Sequence, residues 1–178
     1  MGLLDYKSYI IDRKMSLILD NFSIMNDSNE EIGAVESKLI SLNGEFKILD
    51  KAGKVVGKIK GKLSLRPAFN IYDEKNSLIA IAKRKIVDSG GSEYWVENQE
   101  GQKILEATPD FSGQEYQIKN PEGELIADIS EKISNLNDAY IINIHNHIDP
   151  LIILALTISI DCYENKKNQL ELITGFED

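Results

Sequence analysis

D-P-L-I-I-L-A-L-T-I-S-I-D-C-Y-E-N-K-K, running from Asp149 to Lys167, is the stretch whose reading decides the fold. Asp149 can accept backbone N–H bonds as a helix N-cap, and Pro150 stands at the first helical position, where its missing donor costs nothing. From Leu151 to Ile160 only Thr157 and Ser159 interrupt the aliphatic run, so a helix here carries apolar side chains on every face and must be surrounded. A bilayer span needs about 20 apolar residues, twice what this run offers, so the surrounding medium should be protein. The β-branched residues Ile152, Ile153, Thr157, Ile158 and Ile160 would also suit a buried strand, and the pattern alone leaves that alternative open.

Upstream of this stretch the chain repeats itself. Five tetrapeptides share one turn pattern: N-D-S-N at Asn26, D-K-A-G at Asp50, D-E-K-N at Asp73, N-Q-E-G at Asn98 and N-P-E-G at Asn120. They are spaced by 24, 23, 25 and 22 residues. Asp or Asn opens a type I turn by bonding the backbone two residues on, and Gly or Asn in fourth place tolerates positive φ. Period-two alternation flanks each turn, and an aromatic, Phe22, Phe46, Phe69, Tyr94 or Tyr116, precedes it by about four residues. Each unit therefore reads as a β-hairpin.

Tyr9 to Leu17 matches a second arm without its first, and Tyr140-Ile141-Ile142-Asn143-Ile144 matches a first arm without its second. Five hairpins plus two half-repeats make twelve strands. Pairing the two terminal strands closes the sheet and removes both exposed edges, which predicts an all-β, twelve-stranded closed antiparallel barrel. Eight strands are roughly the number whose own side chains fill a barrel, so twelve leave a lumen about wide enough for a helix. The apolar stretch after Asp149 is the natural filling. The expected organisation is an N-terminal extension at 1–8, a barrel domain at 9–167 and an acidic tail at 168–178, with one more short strand in L-E-L-I at 170–173.

The hairpin series, the F-N-I-Y-D-E-K-N unit at Phe69 and, above all, D-A-Y-I-I-N-I followed by D-P-L-I-I-L-A-L-T-I-S-I-D between Asp138 and Asp161 resemble the LURP-one-related family. That family is a branch of the Tubby C-terminal-like superfamily, which includes the phospholipid scramblases. The resemblance covers roughly Tyr9 to Lys167. It implies a twelve-stranded barrel around a central C-terminal helix, in agreement with the repeat count, and it selects helix over strand for Leu151 to Ile160. It implies no catalytic signature. Tubby domains bind membrane phosphoinositides through a basic surface, so the resemblance points to a lipid-binding or interaction module.

Composition sets limits on function. The chain has 178 residues and a formal charge of −9, which argues against wholesale binding to nucleic acid. A lone cysteine, Cys162, can form neither an internal disulfide nor a cysteine-rich metal site, and reads as a partly buried structural thiol. The opening M-G-L-L-D-Y-K-S offers no secretory leader, so the expected location is the cytoplasm, peripheral at a membrane where lipid is the ligand. No transmembrane segment and no cofactor are expected.

Charge placement is the strongest functional cue. Between Glu45 and Lys85 eleven Lys or Arg stand against four Asp or Glu, a local +7 that leaves −16 on the rest of the chain. In V-G-K-I-K-G-K-L, alternation sets Lys58, Lys60 and Lys62 on the strand face opposite Ile59, Gly61 and Leu63. With Arg66, Lys83, Arg84 and Lys85 on neighbouring strands, these ammonium groups form a candidate anion or phospholipid-headgroup surface. The bland reading is that outward lysines keep a barrel soluble.

Two further readings compete. H-N-H-I-D at His145 to Asp149 has two histidines on one side of an extended segment and a carboxylate nearby, as a metal-dependent hydrolase would need; but Asp149 is wanted as a helix cap and no other His or Cys is free to join. A protein-interaction scaffold without a small ligand is the other alternative. D-S-G-G-S at Asp88 lacks the spacing and lysine of a phosphate-binding loop and reads as a connection, and Trp95 reads as a core or girdle aromatic.

Overall fold

The computed structural model describes residues 1–14, 21–37, 44–62, 68–86, 92–133 and 138–174. In chain order the strands are β1 (Ser8–Lys14), β2 (Asn21–Met25), β3 (Glu31–Ser37), β4 (Glu45–Asp50), β5 (Val55–Lys62), β6 (Ala68–Asp73), β7 (Leu78–Ile86), β8 (Ser92–Glu97), β9 (Lys103–Pro109), β10 (Glu115–Lys119), β11 (Leu125–Ile133) and β12 (Asp138–Ile144). One helix, α1 (Pro150–Thr174), follows. Each strand pairs antiparallel with its sequence neighbours, and β1 pairs with β12, so the sheet is a closed barrel. The half-repeats at the two ends of the series supply the closing pair, with Tyr9 opposite Ile142 and Ile11 opposite Tyr140.

The five turns form as their residues demand. The fourth residues Asn29, Gly53, Asn76, Gly101 and Gly123 all have positive φ, between 58° and 84°. Each donates its N–H to the carbonyl of the Asp or Asn that opens the turn, at 2.9–3.1 Å. A sixth turn of the same kind, D-F-S-G at Asp110, was not among the five. It joins β9 to β10 at the other end of the barrel, with Gly113 at φ 71°.

Period-two alternation sends one set of side chains to the lumen. Ile11, Ile24, Ile48, Ile59, Ile71 and Ile118 are all fully buried there. The helix they surround starts at the end bearing the five turns. Its N–H groups are capped as expected: Leu151 N donates to Asp149 Oδ1 at 2.9 Å. Every residue from Leu151 to Tyr163 is buried, because the sheet encloses all faces of the helix. Thr157 and Ser159 hide their hydroxyls by donating to the carbonyls of Ile153 and Ala155, one turn back. A short 3-10 helix at Leu3–Asp5 lies over the entry end, with Leu3 buried and its carbonyl accepting the Tyr9 hydroxyl at 3.1 Å.

The helix is longer than its apolar run. It continues through residues 170–173, so L-E-L-I is helix and not the strand expected of it. Once a helix is nucleated, adding a residue costs far less than starting a new element, and no free strand edge remains in a closed barrel to recruit one. Among the described residues no helix is long and apolar enough to cross a membrane.

Candidate functional site

The basic residues sort by the side of the sheet they occupy. In β5, Ile59 is in the lumen, so Lys58 and Lys60 face out. Lys58 lies between Lys47 of β4 and Tyr72 of β6; Lys60 lies between Glu45 and Asn70. Lys62 and Lys83 occupy the next row, both opposite Ala68, and Lys85 stands opposite Glu93 of β8. The outer wall over β4 to β7 is therefore predominantly basic. Arg66 and the D-S-G-G run lie outside the described residues.

Arg84 does not belong to that wall. Between Lys83 and Lys85 it has the opposite parity, and it stands opposite Tyr94, whose ring is in the lumen. Its Nε and Nη2 donate to Ser92 Oγ at 2.9 and 2.7 Å, and its guanidinium sits 5.4 Å from the centre of the Tyr163 ring of α1. The sequence cluster K-R-K is split by the pleat.

The wall lysines differ in what holds them. Lys83 donates to Glu97 Oε2 at 2.6 Å, and Trp95 Nε1 donates to the other oxygen at 2.8 Å. Burial alone would raise the Glu97 carboxyl, but these two bonds outweigh it and keep it below the usual glutamate range. Lys58 donates to the Asn76 amide oxygen at 3.1 Å, and Lys60 lies 5.2 Å from the Tyr72 ring centre. Trp95 is an outward aromatic in contact with Lys103, 5.9 Å away, and not a core residue.

The histidine segment is organised for other ends. Asp149 is engaged as the helix cap, and the His145 ring bonds through Nε2 to Asp128 Oδ1. Asn143 Nδ2 donates to the other Asp128 oxygen at 2.9 Å, and Ser8 Oγ donates to Asn143 Oδ1 at 3.2 Å. His147 is exposed. Among the described residues no three His, Cys, Asp or Glu side chains converge as metal ligands would.

A polar collar that sequence reading missed lies inside the barrel where the helix leaves it. Tyr140 donates to Asp161 Oδ1 at 2.9 Å, and Arg13 approaches Asp161 Oδ2 at 3.8 Å. Tyr94 donates to Glu164. Burial pushes the Tyr140 hydroxyl far above its ordinary range, and the adjacent Asp161 carboxylate adds to it. The recurrence of an aromatic at the start of each first arm was the available signal. What it did not reveal is that Asp161 and Glu164, three residues apart on one helix, meet two of those tyrosines.

A family model described as LURP-one-related matches residues 7–161. The chain belongs to that family. An X-ray structure of a protein from Arabidopsis thaliana superposes on this LURP-one-related chain with a TM-score of 0.61 at 12% identity, covering 92% of this chain and 99% of that one. At that identity the likeness shows the fold alone. No curated protein shows significant similarity to the chain.

Proposed function

We propose that this LURP-one-related protein is a non-enzymatic binding module that recognises anionic phospholipid headgroups through the outer wall of β4 to β7, peripheral to a membrane and in the cytoplasm. The observation that carries the reading is the outward placement of Lys47, Lys58 and Lys60 on two adjacent strands of a chain whose overall charge is −9. Such segregation focuses positive potential on one wall, and each lysine near an anionic surface contributes about 1 kcal/mol.

Co-sedimentation with vesicles of phosphatidylcholine, with and without an anionic lipid, tests it. The protein should pellet only with the anionic vesicles, and the triple reversal Lys58→Glu, Lys60→Glu, Lys62→Glu should abolish pelleting. Undiminished pelleting of that variant dismisses this wall as the binding surface.

One observation favours a protein-interaction scaffold as the second reading. Phe111 is fully exposed on a turn held rigid by Asp110, whose carboxylate accepts from Ser112 Oγ and from the N–H groups of Gln114 and Glu115. A partner retained from native extract after lipid removal, and lost on Phe111→Ser, would support that reading.

A further inference from the structure

We propose that Lys47 and Lys58 together form a seat for a phosphate-type oxyanion. The inference rests on the reading of the β4 to β7 wall as an anion-binding surface and names the place within it where the anion sits.

The two residues are direct cross-strand neighbours, Lys47 on β4 opposite Lys58 on β5, both facing out and both half-buried. Side chains directly opposite on adjacent antiparallel strands have Cβ atoms roughly 4.5–5.5 Å apart, and like charges so placed repel. Two other wall lysines are answered by an acid or an aromatic, Lys83 by Glu97 and Lys60 by the Tyr72 ring. This pair has no such answer. Lys58 donates only to the neutral amide of Asn76, and Lys47 has no hydrogen bond or ion pair among the described residues. The nearest acids by register are Glu36, opposite Lys47 on β3, and Glu45, opposite Lys60. Neither makes an ion pair with Lys47 or Lys58 among the described residues.

The surroundings suit an oxyanion. Asn76 is held in the left-handed region at φ 65° by the β6–β7 turn, where its N–H donates to Asp73 O, and its side chain fixes the Lys58 ammonium on that side. Tyr72, opposite Lys58 on β6, gives the seat an aromatic flank. Two ammonium groups on directly opposed positions can together balance the two charges of a phosphomonoester, and binding one converts the repulsion into two charge-assisted hydrogen bonds. The same chemistry is presented by a monoester lipid headgroup and by a soluble phosphorylated small molecule.

The sign of the stability change makes the idea testable. Thermal unfolding of the full chain is followed in phosphate and in chloride at equal ionic strength, with glycerol 3-phosphate as a second probe. Wild type should gain about 3–6 °C in Tm at a concentration tenfold above Kd. Lys47→Met should raise Tm by about 1–3 °C without phosphate, because the repulsion is gone, and should lose the phosphate response. Lys58→Met should lose the response too, while Lys119→Met, an exposed lysine on β10 outside the wall, keeps it. No response in wild type, or a response that survives Lys47→Met and Lys58→Met, overturns the seat. Vesicles of phosphatidylcholine with and without phosphatidic acid separate the sources. Binding to acidic vesicles that is indifferent to Lys47→Met overturns the seat and leaves the wall reading standing. A phosphate response without vesicle binding keeps the seat for a soluble ligand and removes the lipid reading.

Discussion

Gly57 of β5 and Leu151 in the first turn of α1 occupy the same space: a Cβ built on Gly57 would lie 2.4 Å from Leu151 Cδ1. The strand comes close enough to the helix that only a hydrogen fits between them. The helix start is thereby keyed to one position on the barrel wall, and the same strand carries Lys58 on its other face.

Gly57→Ala should therefore destabilise the protein by about 1–3 kcal/mol through overpacking, although alanine is the better strand former. Leu151→Ala should cost about 2–5 kcal/mol alone, by leaving a cavity. Chemical denaturation of the double variant should show it more stable than the sum of the two losses allows, since each change relieves what the other creates. Simple additivity would show that the two residues do not share this volume.

The Tyr140 hydroxyl is the donor to a carboxylate, Asp161, that is 1% exposed. Tyr140→Phe should cost about 1–3 kcal/mol in urea unfolding, because the Asp161 oxygen loses a partner where water cannot replace it. Tyr94→Phe should cost less, since its acceptor Glu164 is only half-buried. Equal losses would show that burial of the carboxylate is not what makes the collar matter.

Arg84 and Lys85 are sequence neighbours on opposite sides of the sheet, which predicts unequal responses to charge reversal. Arg84→Glu would put a carboxylate beside the Tyr94 and Tyr163 rings and lose the bonds to Ser92, and should lower stability by about 3 kcal/mol or more. Lys85→Glu, on the exposed face, should stay within about 0.5 kcal/mol of wild type. Circular-dichroism melts of the two variants give the comparison directly.

The Glu97 carboxyl, held down by Lys83 and Trp95, makes stability pH-dependent in a known direction. A carboxylate whose folded pKa lies below its unfolded one adds stability that is fully present above the unfolded value of about 4.3 and is lost as pH falls through the folded value. For a partly buried pair at the barrel surface the amount should be about 0.5–1 kcal/mol. Wild type should therefore lose more stability than Glu97→Gln between pH 6 and pH 3, and parallel curves for the two proteins would exclude the effect.

The division between what was legible and what was not follows the range of the interactions concerned. Turn chemistry is local: an Asp or Asn opening a tetrapeptide and a Gly or Asn closing it were enough to place five hairpins, because those residues bond to a backbone a few positions away. The turn at Asp110 is not legible in the same way, because it joins the second arm of one repeat to the first arm of the next and so falls outside the period of the other five. Closure also follows from the chain alone, since two half-repeats can satisfy their edges only by pairing with each other.

Other relationships needed the third dimension. Whether Lys47 meets Lys58, and whether Asp161 meets Tyr140, depends on strand register and on the rotation of the helix inside the barrel, and residues from distant parts of the chain must be brought to one spot. Arg84 is the instructive case, because charge counting grouped it with Lys83 and Lys85 while the pleat turns it to the side of Tyr94. By itself the sequence determined the barrel, from periodicity and turn residues, and it marked an apolar rod that must be enclosed, with the family resemblance selecting helix over strand for that rod. Only the tertiary structure decided which charges share a wall, which are turned inward, and which stand opposite a like charge, because register is set by packing across the whole closed sheet and is written in no single strand.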